Sequence, residues 1–112
     1  MKRLPKTFGC PVELSLQLLG GKWKTVILAR LKERPLRYGE LRALIPQLSD
    51  KMLTQRLADL KEAGLIERSG GKREAGYRLS ARGESLRPIL QALYDWGESQ
   101  AIELDVSVGT SG

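Results

Sequence analysis

The 112-residue chain has no histidine and no asparagine. Without imidazole there is no His general base and no His metal ligand, and without asparagine there is no acceptor for N-linked glycosylation. A single cysteine, Cys10, excludes an intrachain disulfide and fits a reducing compartment. The longest apolar run is Val26-Ile27-Leu28-Ala29, whereas a bilayer-spanning helix needs about twenty such residues. The basic N-terminal segment Met1-Lys2-Arg3-Leu4-Pro5-Lys6 is not followed by the apolar core of a signal peptide. Paired carboxylates for acid–base work are also lacking: Glu13, Glu33 and Glu40 fall on separate segments with no accompanying nucleophile. These absences predict one soluble cytoplasmic domain that is not an enzyme, holds no metal or cofactor and does not enter a membrane.

What is present is a globular balance, 41% hydrophobic and 29% charged, with a net charge of +6. The charge is unevenly spread. Residues 1–87 carry all 19 basic side chains and nine acids, a net +10, while residues 88–112 carry only Asp95, Glu98, Glu103 and Asp105. The positive part is the one to search for a polyanion contact.

Residues 1–9 lack periodicity and are expected to form a flexible basic arm, with a domain over 10–104 and a frayed tail over 105–112. Pro11 suits the first position of a helix that ends at Gly20-Gly21. A second helix runs from about Trp23 to Glu33, closed by Pro35. After the short extended link Leu36-Arg37, a third covers Tyr38 to Ile45 and stops at Pro46. Ser49 is a good N-cap for a fourth helix with Asp50 in its first turn and Gly64 at its end. Leu65 to Arg68 and Tyr77 to Leu79 flank a glycine-rich basic loop and predict a β-hairpin. Ser80 caps a last helix over about 81–103, in which Pro88 is expected to cause a bend. The fold class expected is mainly α with a small β-hairpin (α+β): a winged helix-turn-helix, with the helix-turn-helix over 38–63 and the wing over 65–79, and with N- and C-terminal dimerisation helices.

In such a motif the second helix enters the DNA major groove with its N-terminal residues at base edges. If Leu53, Leu57 and Leu60 face inward, Lys51, Gln55, Ala58 and Glu62 lie opposite, with Thr54 on the shoulder and Arg56 on the flank. A glutamine amide can pair bidentately with adenine and a threonine methyl can touch that of thymine. Ser49, at the helix start, joins this set. The loop Ser69–Gly76 carries Lys72 and Arg73, with Arg68 and Arg78 on the strands, and suits a phosphate backbone or a narrow minor groove. Alone, a polar helix face or a basic hairpin tip is ordinary solvated surface; their order in the chain favours DNA. Gly20-Gly21-Lys22-Trp23 fails as a phosphate-binding loop, because the upstream glycine and the Ser or Thr after the lysine are missing. Trp23 is expected to anchor the core instead. Cys10, at a helix N-terminus, is either a reactive thiol or a packing residue.

Several strings together resemble the HxlR family of bacterial and archaeal regulators. They are Cys10-Pro11-Val12-Glu13, Gly20-Gly21-Lys22-Trp23, Arg37-Tyr38-Gly39-Glu40-Leu41, Leu53-Thr54-Gln55-Arg56-Leu57-Ala58-Asp59-Leu60, Gly64-Leu65-Ile66-Glu67-Arg68, Tyr77-Arg78-Leu79-Ser80-Ala81-Arg82-Gly83 and Trp96-Gly97. The resemblance spans about residues 10 to 97. It implies a homodimeric, MarR-like winged-helix repressor or activator on double-stranded DNA at a pseudo-palindromic operator. It also implies that Cys10 stands where several members sense electrophiles or oxidants. The wing, Gly70-Gly71-Lys72-Arg73-Glu74-Ala75-Gly76, departs from the longer family pattern with Pro and Val before the final strand. With one cysteine, an oxidised form is an intersubunit disulfide or an adduct.

The final helix carries more apolar residues than one small domain needs. Leu86, Ile89, Leu90, Leu93, Tyr94 and Trp96, together with Leu14 and Leu18 of the first helix, are therefore expected at a C2 dimer interface. The effector is expected to be an electrophile acting at Cys10 or a small molecule between the subunits. The competing reading is a winged-helix module that binds protein or RNA and has no operator.

Overall fold

The computed structural model describes residues 4–71 and 75–109. Helices α1 (Pro11–Leu19), α2 (Lys22–Glu33), α3 (Tyr38–Leu44) and α4 (Asp50–Glu62) precede strands β1 (Ile66–Ser69) and β2 (Gly76–Leu79). Two helices, α5 (Ala81–Glu84) and α6 (Arg87–Glu103), complete the chain. The strands form an antiparallel hairpin with Ile66 opposite Leu79 and Ser69 opposite Gly76. Leu36, in the link before α3, exchanges backbone hydrogen bonds with Tyr77 at 3.0 and 2.8 Å, so β2 lies between β1 and the link. This architecture is the expected winged helix-turn-helix, and its element boundaries lie within two residues of those expected from α1 through β2.

One core serves the whole domain. Ile27, Leu28 and Leu31 of α2 join Leu41 of α3, Leu53, Leu57 and Leu60 of α4, Ile66 and Leu79 of the hairpin, and Leu90 of α6. Helix α2 is its axis, packing on α4, β2 and α6. Each fully buried Leu or Ile contributes about 1.5–3 kcal/mol over leaving it in water. Trp23 is half-buried against this core, with the Lys22 ammonium 4.4 Å from its ring centre.

The C-terminal helix departs from expectation. Ser80 caps as predicted, its Oγ accepting from the Gly83 N–H at 3.0 Å, but the helix so begun is α5 and it stops at Glu84. Pro88 does not bend a continuous helix; it sits in the first turn of a new one, α6. A proline inside the helix would lack its donor and press its ring on the carbonyl four residues back, whereas in a first turn the missing N–H has no helical partner to lose. The junction is held from outside: Arg82 donates to the Ala63 carbonyl at 3.1 Å and Arg87 to the Lys32 carbonyl at 2.6 Å, each closing the end of an earlier helix.

The expected dimer set is also corrected. Leu90 is 1% exposed inside the chain's own core and offers no surface to a second copy, while Leu86 is partly buried against that core. Both line the side of α6 that faces α2, where they replace water with the domain's own leucines. Leu18 is half-buried, while Leu14, Ile89, Leu93, Tyr94 and Trp96 remain exposed. Lys32 was not foreseen in the core: it is 6% exposed and donates to Glu33 at 2.5 Å and to Gln91 at 2.9 Å. Buried cations persist only when paired in this way. The Lys32 hydrogen bond is the main cause that holds the Glu33 carboxyl below its ordinary pKa.

Gly83 marks the tightest approach in the domain. A Cβ there would stand 2.1 Å from the Leu65 carbonyl oxygen. Gly83→Ala is therefore expected to destabilise the fold by about 2–3 kcal/mol through overpacking against backbone. The measurement is the urea midpoint of the variant, and an unchanged midpoint would contradict this packing.

Candidate nucleic-acid interface

The rotational setting of α4 follows from its leucines. Leu53, Leu57 and Leu60 are 0%, 3% and 0% exposed, which leaves Lys51, Thr54, Gln55, Ala58 and Glu62 on the outer surface. Arg56 is half-buried on the flank and pairs with Asp59 at 3.5 Å. Gln55 Nε2 donates to Asp59 Oδ1 at 3.0 Å. The Ser49 hydroxyl oxygen accepts from the Met52 N–H at 3.1 Å and so caps the helix. Its own proton stays available to a partner outside the helix.

The turn between α3 and α4 is fastened at two levels. Ile45 and Leu48 bury their side chains, each 1% exposed. Above them, the Tyr38 hydroxyl donates to Asp50 Oδ1 at 2.7 Å, and Arg42 Nε reaches the same oxygen at 2.9 Å. Arg42 also donates to the Leu48 carbonyl. A single carboxylate thus ties the first turn of α4 to two positions on α3. The Tyr38 oxygen lies 3.5 Å from Thr54 Oγ1, so the start of α3 adjoins the outer face of α4. Sequence reasoning saw only the helix-dipole role of Asp50 and missed this latch. Its members lie 8 and 12 residues apart, outside any helical or strand periodicity.

Glu40 secures the other end of α3. It accepts from the Arg37 backbone N–H at 2.9 Å and from Arg34 at 3.2 Å, and these bonds, the backbone one first, hold its carboxyl below the ordinary range. In the hairpin, Arg68 stacks on Tyr77, with 5.1 Å from its guanidinium carbon to the ring centre, and donates to the Tyr77 hydroxyl at 3.1 Å. Arg78 is engaged by its cross-strand neighbour Glu67 at 2.8 and 3.1 Å, both bonds falling on one carboxylate oxygen. Lys72 and Arg73 lie outside the described residues. Ser49, Lys51, Thr54, Gln55 and Arg56 thus come together on α4, and Arg78 stands apart on the hairpin.

Cys10 is exposed and forms the N-cap of α1, its backbone carbonyl accepting from Glu13 at 3.0 Å. Among the described residues no cluster of three or more Cys, Asp or Glu side chains is arranged to hold a metal ion. Among the same residues no helix is long and apolar enough to cross a membrane.

Comparison with known proteins gives this interface its context. The HxlR-like helix-turn-helix family model matches residues 18–105. The chain belongs to that family. It is a transcriptional regulator with a helix-turn-helix, and its relatives are regulators rather than enzymes. The HTH-type transcriptional regulator YdeP of Bacillus subtilis is 37% identical over 100 residues, covering 87% of this chain and 78% of YdeP. YtcD of the same organism is 41% identical, covering 82% and 75%. Among solved structures, the redox regulator HypR in its reduced form superposes with a TM-score of 0.77 at 31% identity, covering 86% of this chain and 98% of that one. Quinone-bound YodB from B. subtilis superposes at 0.67 and 32% identity, covering 80% and 99%. The HxlR-like chain therefore shares the winged-helix architecture of these regulators over nearly its whole described length.

The latch gives a direct test. Asp50→Ala removes the acceptor of both Tyr38 and Arg42 and a favourable charge from the first turn of α4. With the Asp50 side chain 77% exposed, the loss of stability is expected to be about 0.5–1 kcal/mol, and smaller for Tyr38→Phe. Thermal denaturation of both variants measures this, and a loss as large from Tyr38→Phe would assign the latch to the tyrosine instead.

Proposed function

We propose that this regulator binds a pseudo-palindromic operator in double-stranded DNA as a C2 homodimer, most simply as a repressor. The observation that carries the reading is the exposed polar half of α4, in which Lys51, Thr54 and Gln55 stand clear of a core that holds the opposite face. In a helix-turn-helix protein that is the surface offered to base edges. Gln55 reads a base, Lys51 and Thr54 flank it, and Ser49, Arg56, Lys72, Arg73 and Arg78 serve phosphates or the minor groove. Both Arg56 and Arg78 exchange a carboxylate for a phosphate in the complex.

Dimerisation is supported by what the domain leaves uncovered. Helix α1 buries no residue, and Val12, Leu16, Ile89, Leu93 and Trp96 are each about half exposed or more. The radius of gyration is 14.8 Å, against about 13 Å for a compact chain of this length. The apolar sides of α1 and α6 are the surface that a two-fold partner would cover. Leu14, Leu18, Ile89, Leu93, Tyr94 and Trp96 form the interface in this reading, and the two α4 helices lie about 34 Å apart, one DNA turn.

Cys10 is the regulatory thiol in this reading, supported by its exposure and by the likeness to HypR, a redox regulator, and to YodB, solved with quinone bound. Oxidation or alkylation at the start of α1 would alter the packing of that helix on its partner. A differential stability of about 1–3 kcal/mol between two dimer arrangements changes operator affinity about 5- to 150-fold.

The test of DNA reading is a titration of the operator selected from random duplexes. Gln55→Ala is expected to cost about 1–3 kcal/mol on that site and to relax preference at one base pair per half-site. The same titration should return two chains per operator. A variant that binds every sequence as the parent does would remove α4 as the reader. For the signal, Cys10→Ser is expected to keep operator binding while losing its response to diamide or a quinone. Unchanged DNA binding by fully alkylated wild-type protein would exclude the thiol as sensor.

A further inference from the structure

The link between α2 and α3 runs beside the hairpin, and a cleft of about 430 Å³ opens where they meet. Arg34 and Arg37 line it from the link and Arg78 from β2, together with Glu40, Ser69 and Gly76. The cleft exists because the backbones come unusually close. A Cβ on Gly76 would stand 2.7 Å from the Leu36 carbonyl oxygen, so a glycine is needed for the Leu36–Tyr77 pairing that seats the link against β2. Arg37 follows Leu36 and comes opposite Gly76, which is itself opposite Ser69. That row has a bare floor between a hydroxyl and a guanidinium.

Three guanidinium groups face one lining carboxylate. Arg34 pairs with Glu40 at 3.2 Å, with side chains 59% and 42% exposed, and Arg78 pairs with Glu67 at 2.8 Å, 53% and 46% exposed. Ion pairs this open to water are worth little and exchange readily. Arg37 is exposed and makes no ion pair among the described residues. Tyr38, next in sequence to Arg37, carries its hydroxyl to 3.5 Å from Thr54 Oγ1, so a single residue of α3 connects the margin of the cleft to the outer face of α4.

We propose that this cleft holds a phosphodiester group of the DNA backbone beside the groove that α4 enters, with Arg37 and Arg34 as its principal donors. The proposal rests on the DNA-binding reading above. A guanidinium fork matches two phosphate oxygens, and the incoming anion takes over from Glu40 and Glu67 as partner. Free inorganic phosphate shares this chemistry. The position beside α4 assigns the site to the duplex, whose phosphates border the groove on both sides. The link thereby supplies a third DNA-contacting element besides the recognition helix and the wing.

The test uses the full chain with Arg34 and Arg37 both changed to Gln, titrated on the operator and on a scrambled duplex from about 0.05 to 0.2 M salt. Affinity is expected to fall about tenfold on both duplexes alike, with the log–log salt slope smaller by about two units. The base preference set by Gln55 should persist, and ethylation interference at one backbone phosphate per half-site should disappear. If affinity and slope stay at wild-type values while Gln55→Ala still relaxes base preference, the cleft is idle and the DNA reading stands without it. Arginine-dependent binding of inorganic phosphate with no change in the DNA salt slope would assign the cleft to the free anion and overturn the proposal. Wild-type protein that binds no duplex would overturn both readings at once.

Discussion

The burial of Leu53, Leu57 and Leu60 is the constraint on which the rest of the molecule depends. Three leucines in a shared core are worth about 5–9 kcal/mol, far more than the few tenths available to each polar pair on the outer surface of α4. Turning the helix by one residue would expose part of that apolar stripe and bury Lys51 or Gln55 without partners. The polar residues of α4 face outward because its apolar residues have nowhere else to go. A potential reading surface is therefore a by-product of core packing, and its rigidity is that of the core.

Two smaller devices convert a rotational setting into a defined surface. The Asp50 carboxylate, shared by Tyr38 and Arg42, fixes where α4 begins relative to α3. The Leu36–Tyr77 pairing fixes where the hairpin stands relative to the same helix pair. Individually each is a modest interaction. Together they join three segments that are distant in sequence on one side of the domain, with arginines concentrated around the seam. The C-terminal helix stands at the other end of the charge gradient, its Asp95, Glu98 and Glu103 all following Arg87, the last base of the chain.

The N- and C-terminal helices follow a different physical logic. Helix α6 contributes one fully buried residue, Leu90, plus a partly buried anchor in Leu86, which suffice to dock it on α2 beside Lys32 and Gln91. Its other large apolar side chains, and Val12, Leu14 and Leu16 of α1, stay exposed. A domain of this size gains little by leaving so much apolar surface uncovered, and the proposed dimer is the arrangement that would cover it. The exposed Cys10 sits at the start of one of these uncovered helices.

Most of the fold was legible in the sequence because the signals that bound helices are local. Pro11, Gly20, Pro35, Pro46, Ser49, Gly64 and Ser80 each act on the few residues beside them, and the 3.6-residue spacing of leucines on α4 sets its inward face within a single helix. The candidate reading residues Lys51, Thr54 and Gln55 could be named for the same reason. Other features depend on partners far along the chain, about which spacing is silent. Leu90 and Leu93 look alike in sequence; only the approach of α2 decides that one is core and the other surface. Lys32 is buried because Gln91, 59 residues away, meets its ammonium. The break before Pro88 is held by Arg82 and Arg87 on carbonyls of earlier helices. The cleft at Arg37 needs the link to lie against Gly76. By itself the sequence determined where helices and strands begin and which face of each is apolar, since propensity, capping and periodicity act within a few residues. Which apolar face meets which, and which charges then find partners, was decided by tertiary packing, where contact depends on distance in space and not along the chain.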